Sequence, residues 1–412
     1  VLFHTKAVEQ DKYFGVVLME KKLITGQFND AFTPVMDGVT NVVKNYAYWL
    51  DKKYGESYVA TPAYPGYVDR EAFPVLRYYS IPLKKREPYR IGLELLDINF
   101  RSTIKNIPFD IVHAHCPFTS GAIALQIARR KNIPIIATFH SKFYDDFKQV
   151  LKIDAFAKIC TRLVIDFFNK VDQVWTVSKG AAETLREYGF KSKVEIIPNG
   201  SDFVVPENMD RLIEQTEKKL DIRKDELVLL FVGQHIWQKN IKLIVEALKK
   251  VSEQNMPYRM FFVGDGYAQE DLKNYVNELG LTESITFLGK ILDRDYLRSL
   301  FARADLFLFP SIYDNAPIVV QEAAAVGTPS LVIAKSNAAE GIVDNVNGFM
   351  SDNDSISYSR RIIQIAKDRE ALERVGEKAK TTIHRNWENI VDEVYERYLE
   401  IIQDYRQKHK IS

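Results

Sequence analysis

Short runs of apolar residues alternate with longer stretches in which apolar positions recur every three or four residues, from about residue 22 to the C-terminus. The short runs read as buried strands and the amphipathic stretches as the helices that join them. In the first half the strand candidates are 22–28, 57–61, 110–114, 134–138, 173–177 and 194–197, with helices such as 40–53, 120–130 and 180–188 between them. The second half repeats the pattern with strands at 227–232, 259–263, 284–288, 306–309 and 330–333, and with helices beginning near Ile241, Gln269, Tyr296 and Ile318. Strands separated by helices predict parallel sheets covered on both faces. The segment 202–226 carries Pro206 and many charges and reads as a linker running into a short helix, with the boundary near Val204. The predicted fold class is therefore α/β, with two doubly wound domains at 1–203 and 204–385 and an amphipathic helix over 386–412. Such sheets bind ligands at the carboxyl ends of their strands, so a ligand is expected in the cleft between them. The first 20 or so residues precede the first strand and carry no assigned role.

A chain of 412 residues, 46% apolar and 12% aromatic, has the length for two domains and the material for two cores. No run approaches the roughly 18 apolar residues of a spanning helix, and the first residues lack a signal-peptide layout, so a cytoplasmic location is expected. Cys116 and Cys160 are the two cysteines, which excludes a disulfide scaffold and a cysteine-rich zinc site. The net charge of +1 hides an asymmetry: 28 Lys and Arg against 22 Asp and Glu through Phe203, and 28 against 33 beyond it. Lys84-Lys85-Arg86 and Arg129-Arg130-Lys131 read either as solvated faces or as a face drawn to anionic lipid or an acidic acceptor. Without a nucleic-acid motif, scattered basic residues do not make a DNA or RNA binder.

The strongest local signal is the run from Phe309 to Pro317, where a strand end gives way to a helix containing Glu322. Pro317 suits a first helical position and Asn315 or Ala316 the cap, so the amides of Asn315, Ala316 and Ile318 would face the cleft and receive a diphosphate. Asp314 and Glu322 would flank that site; on spacing alone, the same run also reads as an ordinary helix cap. Lys239 ends a second strand-to-helix loop, 231–240, that also presents Gln234. Gly38 lies in the loop after the first strand, where a Gly-x-Gly-x-x-Gly pattern is absent, which argues against a dinucleotide oxidoreductase. His115 and His140 end consecutive strands, and His113 is expected to face away from His115 because strand side chains alternate.

Read together, these stretches resemble the retaining family-four glycosyltransferases of the GT-B fold, with Asp314 and Glu322 in the places of the two Glu of the family's Glu-x7-Glu signature. The resemblance implies two Rossmann-like domains, the first for the acceptor and the second for a nucleotide sugar, and a C-terminal helix from Asn386 that crosses back onto the first. It implies that Asp314 and His140 orient the donor sugar, that Glu322 holds the ribose, and that Lys239, Gly38 and the amides over 315–318 hold the diphosphate. Gln234 stands where the family has Arg, and Asp314 is one methylene shorter than Glu. Lys290 is placed near the base, while His115 and Asn199, in the Pro198–Asp202 turn, fall on the acceptor side. The implied reaction moves a hexose from a nucleotide diphosphate sugar, UDP-linked, to a lipid or saccharide hydroxyl with retention, the donor being a substrate and no cofactor or metal being required. The segment 138–171 resembles that of diacylglycerol glucosyltransferases, and its apolar and basic part, 147–170, either packs inside the first domain or lies on an anionic membrane at its inner face. Gln234 and Asp314 leave open a nucleotide-sugar-binding partner of another transferase with little activity of its own, and a sugar-nucleotide epimerase on a similar two-domain scaffold is a third reading.

Overall fold

The computed structural model describes residues 22–84, 87–223 and 225–410. Residues 1–21 and the Lys85-Arg86 part of the first basic run lie outside the described residues.

In chain order the first half comprises β1 (Leu23–Phe28), α1 (Gly38–Lys53), β2 (Gly55–Pro62), β3 (Val75–Tyr78), β4 (Ser80–Pro82), β5 (Arg90–Gly92), α2 (Ile98–Asn106), β6 (Ile111–Ala114), α3 (Thr119–Lys131), β7 (Ile135–Phe139), α4 (Phe143–Leu151), α5 (Asp154–Phe168), β8 (Gln173–Thr176), α6 (Lys179–Glu187) and β9 (Glu195–Ile196). The second comprises α7 (Met209–Leu220), β10 (Leu227–Val232), α8 (Ile241–Ser252), β11 (Tyr258–Val263), α9 (Gln269–Glu278), β12 (Ile285–Gly289), α10 (Arg294–Arg303), β13 (Leu306–Phe309), α11 (Ile318–Ala325), β14 (Ser330–Ile333), β15 (Phe349–Ser351), α12 (Ser355–Ala366), α13 (Arg369–Thr382) and α14 (Trp387–His409).

Two parallel sheets result, in the orders β3-β2-β1-β6-β7-β8-β9 and β12-β11-β10-β13-β14-β15. Both reverse strand order once, between β1 and β6 and between β10 and β13, and such switch points open a crevice at the carboxyl ends of the strands. Strands β6, β7, β10, β13 and β14 are buried at every position, as expected of apolar runs covered by helices on both faces. The expectation missed β3, β15 and the antiparallel β4–β5 hairpin. Each has only three or four residues, and β4 ends on Pro82, so none carries a recognisable apolar period.

The chain returns to the first sheet at Asn386, where Ser201 N donates to Arg385 O at 2.8 Å and Asn386 caps α14 by accepting from Glu388 N. From there α14 lies along α1 and buries Trp387, Ile390, Val391, Val394 and Tyr398 against Val42, Tyr46 and Trp175. Tyr54 and Tyr395 stack at 3.7 Å farther along the same seam. Among the described residues no helix is long and apolar enough to cross a membrane.

Candidate active site

The loops after β10 and β13 in the second sheet meet through Lys239 and Asp314, and the segment after β7 in the first sheet meets the loop after β13. In the second sheet the loop after β10 is pinned to the loop after β11. His235 N donates to Asp265 O at 2.7 Å, and Ala268 N donates to His235 O at 2.9 Å. Gly264 makes this approach possible: its φ is +128°, and a Cβ there would sit 1.9 Å from Gly233 O. The pinned loop ends in a 3₁₀ turn, Trp237–Lys239, that delivers Lys239 to Asp314 in the loop after β13. Asp314 also accepts from Ser311 Oγ at 2.5 Å, so its carboxylate is held from both sides. Gln234 is exposed. Lys290 is likewise exposed, directly after Gly289, whose carbonyl accepts from Gly264 N at 2.9 Å.

Helix α11 begins one residue later than expected. Pro317 is its cap, with extended backbone (φ −70°, ψ 117°), and Ile318 is its first residue. Asn315 does not cap it, because its side chain is committed elsewhere: Nδ2 donates to His140 O at 2.8 Å, and Oδ1 accepts from Asn337 Nδ2 at 3.0 Å. The first amides of α11 have no partner within the helix and point out of its start, which favours an anion there. Within α11, buried Glu322 accepts from Arg294 at 2.8 Å, and the same guanidinium reaches Asp202 at 2.5 Å while lying 4.5 Å from the centre of the Phe203 ring. Burial raises the Glu322 carboxyl above its ordinary range, and Arg294 opposes that shift.

Across the cleft, Gly38 opens α1, and a Cβ at that position would meet nothing within 4 Å. Asp37 caps the helix by accepting from Thr40 N at 2.7 Å. His140 follows β7, half-buried, and burial lowers its imidazole to about 3. His115 is not on an open acceptor side: it is buried behind His140, with its Nδ1 at 3.2 Å from His140 Nε2 and its Nε2 at 2.9 Å from Gln27 Oε1. His113 does not face away from it, because residues two apart on a strand share a face. The two rings stack at 4.1 Å. Asn199 Nδ2 donates to Ala316 O at 3.0 Å, which ties the turn after β9 to the loop before α11.

Further contacts tie the halves together at this point. Tyr313 Oη donates to Asp146 at 2.8 Å, Lys142 Nζ to Ile312 O at 2.9 Å, and Lys179 N, at the start of α6, to Glu340 at 2.9 Å. Sequence reasoning missed Arg294, Asn337, Gln27 and Tyr398. Arg294 follows a capping Asp293 and looks like a solvated first-turn residue, and Tyr398 looks like one more core position of an amphipathic helix. Among the described residues no three His, Cys, Asp or Glu side chains are grouped to hold a metal ion.

Two doubly wound sheets whose switch points face one cleft, with a basic and an acidic side chain meeting beside a helix start, define the GT-B class of transferases. Residues 36–203 match the model of Glycosyltransferase Family 4, and residues 213–382 that of Glycosyl transferases group 1. The chain belongs to this glycosyltransferase family and is a hexosyltransferase. It is 27% identical over 76% of its length to the alpha-monoglucosyldiacylglycerol synthase of Streptococcus pneumoniae, covering 71% of that protein. It is 26% identical over 74% of its length to the UDP-Gal:alpha-D-GlcNAc-diphosphoundecaprenol alpha-1,3-galactosyltransferase of Escherichia coli, covering 79% of it. Anabaena HepE in complex with UDP superposes with a TM-score of 0.73 at 17% identity, covering 92% of this chain and all of HepE.

Proposed function

We propose that the chain transfers a hexose from a UDP-linked donor, with retention, to the hydroxyl of a lipid at an anionic membrane surface. The observation that carries the proposal is the meeting of the loop after β7 with the loop after β13, where Asn315 Nδ2 donates to His140 O close in sequence to Asp314, the partner of Lys239, and to the α11 helix that carries Glu322. In this reading the α1 and α11 starts and Lys239 hold the diphosphate, Glu322 holds the ribose, and Asp314 and His140 orient the sugar. The acceptor hydroxyl attacks the anomeric carbon on the face from which the diphosphate leaves. Its proton passes to the departing phosphate oxygen, so charge develops where Lys239 and the helix dipoles lie. The UDP and lipid parts take support from the activities of the two relatives named above and from the UDP in HepE.

The lipid reading takes further support from α4 and α5. Helix α5 buries Ala157, Val164, Ile165 and Phe168, yet turns Phe156 (56% exposed), Ile159 and Leu163 (63% exposed) outward on its other side. Lys148, Lys152, Lys158 and Arg162 lie exposed among them, the composition of an interfacial helix. The expectation set inner packing against membrane contact, and this helix has a face for each. Phe118, packed edge-on against Phe143 and Phe147 of α4, adds to the same surface, and the hairpin side of the domain exposes Tyr79, Leu95, Leu96 and Ile98.

Labelled UDP-hexoses incubated with the full chain and with anionic vesicles containing diacylglycerol, in parallel with soluble saccharides, test the proposal. Label extracted with the lipid is the expected result. Label carried only by soluble saccharides would end the lipid reading, and label released only as free sugar or epimerised donor would end the transfer reading.

A further inference from the structure

Behind His140 runs one hydrogen-bonded chain of buried side chains that the reaction outlined above does not use. It leads from His140 Nε2, 3.2 Å from His115 Nδ1, and continues from His115 Nε2 to Gln27 Oε1 at 2.9 Å. Gln27 Nε2 donates to Tyr398 Oη at 3.4 Å, Tyr398 Oη lies 2.6 Å from His113 Nδ1, and His113 Nε2 lies 2.7 Å from Thr138 Oγ1. Gln27, His113, His115, Tyr398 and Thr138 are all buried. Gln27, His113, Thr138 and Tyr398 come from β1, β6, β7 and α14, His115 directly follows β6, and α14 is the helix that returns from the second half.

In such a chain the donors and acceptors are not independent. A carbonyl oxygen only accepts, so Gln27 Oε1 requires a proton on His115 Nε2. A neutral imidazole has one N–H, which makes His115 Nδ1 an acceptor and obliges His140 to donate from Nε2. His140 Nδ1 is then left with a bare lone pair. Turning the Gln27 amide over would reverse every bond and put the proton on His140 Nδ1. The distances around Tyr398 oppose that reversal: 3.4 Å is far outside the usual O–H···O range that the reversed sense needs, and closer to what an N–H donor spans. The short 2.6 Å contact suits the phenol hydrogen directed at His113 Nδ1. Burial lowers all three imidazoles, so each is neutral and the single-proton count holds.

We infer that Gln27 and His115, anchored by Tyr398 of the C-terminal helix, are positioning residues that lock His140 in its Nε2–H tautomer, presenting Nδ1 as a proton acceptor for a sugar or acceptor hydroxyl. The inference rests on the cleft reading for what His140 touches, and stands apart from it in what tautomer His140 holds. No proton is gained or lost in this arrangement; the chain fixes which nitrogen carries it.

Nitrogen-15 NMR of the full chain labelled at histidine, with His140 assigned through His140→Gln, reads the tautomer without any substrate. The expected wild-type state is Nε2–H at His140. In Gln27→Met, which keeps length and loses the acceptor, the His140 signals move toward the Nδ1–H form, and kcat falls at least about tenfold with the donor KM changed less than about twofold. Tyr398→Phe gives a mixture of both forms and is the second variant should Gln27→Met fail to fold. Nδ1–H at His140 in the wild type, or an unchanged Nε2–H state in folded Gln27→Met and Tyr398→Phe, would overturn the inference. Absence of transfer activity alongside the expected tautomers would defeat the functional reading and leave this one standing.

Discussion

Lys239 and Glu322 have their charges matched by Asp314 and by Arg294, so in the proposed reading they would meet the donor already paired. Donor binding therefore exchanges one set of polar partners for another and leaves no charge uncompensated. Lys239→Ala removes the cation opposite the developing charge and should lower kcat by about 10²- to 10³-fold, read in steady-state assays. The histidines make a separate prediction about stability. His113, His115 and His140 are held neutral by burial, whereas in the unfolded chain they titrate at the ordinary value near 6.5. Below that value the unfolded state binds more protons, so each histidine contributes stability that is present above pH 6.5 and lost as pH falls, by up to about 1.4 kcal/mol per unit. Asp30 and Glu322, raised by burial, act in the opposite sense, so the clean measurement is a difference. Urea midpoints at pH 7 and pH 5.5 should separate less in His113→Gln than in the wild type; an equal separation would mean that His113 is not held neutral. The candidate residues in this cleft were legible because they sit at strand ends with signature spacing. Their partners were not: Tyr398 and His113 are 285 positions apart, and no local pattern records such a pairing.

Most elements were legible for a simple reason. Strands such as β10 (LVLLFV) are apolar at every position, and helices such as α8 carry a clear stripe. What failed were the short pieces and the question of which faces α5 buries. A helix with apolar residues on two sides satisfies the helical period whether one face or both are covered, so only the packed structure separates Val164 from Leu163. Burying one exposed Phe or Leu in a membrane interface is worth about 1.5–3 kcal/mol, or about tenfold or more in affinity. The double variant Phe156→Ser, Leu163→Ser should therefore lose most vesicle binding in flotation assays. Both side chains are exposed, so its folding stability should stay within about 1 kcal/mol of wild type. Unchanged flotation would remove α5 from the membrane account.

At the scale of the molecule, two sheets are fastened by α14 and by contacts that cross the cleft at Asn315, Asn199, Tyr313 and Glu340. The two-domain plan was evident from the repeated strand and helix pattern; the fastening was not, since it depends on which loops meet. The same fastening predicts communication. Asn315→Ala removes both the bond to His140 O and the bond from Asn337, and should widen the cleft in small-angle scattering while weakening the donor KM more than kcat. A profile and kinetics identical to wild type would show that the bridge does not set the closed geometry. The central claim, a UDP-sugar site built around Glu322 and the start of α11, is tested most directly by calorimetric titration of UDP, with GDP and ADP alongside, into the wild type and Glu322→Ala. The account predicts saturable UDP binding that weakens about 10- to 100-fold in the variant, the loss of one or two hydrogen bonds to a charged acceptor. No nucleotide binding by the folded wild type, or equal UDP binding by both proteins, would contradict it.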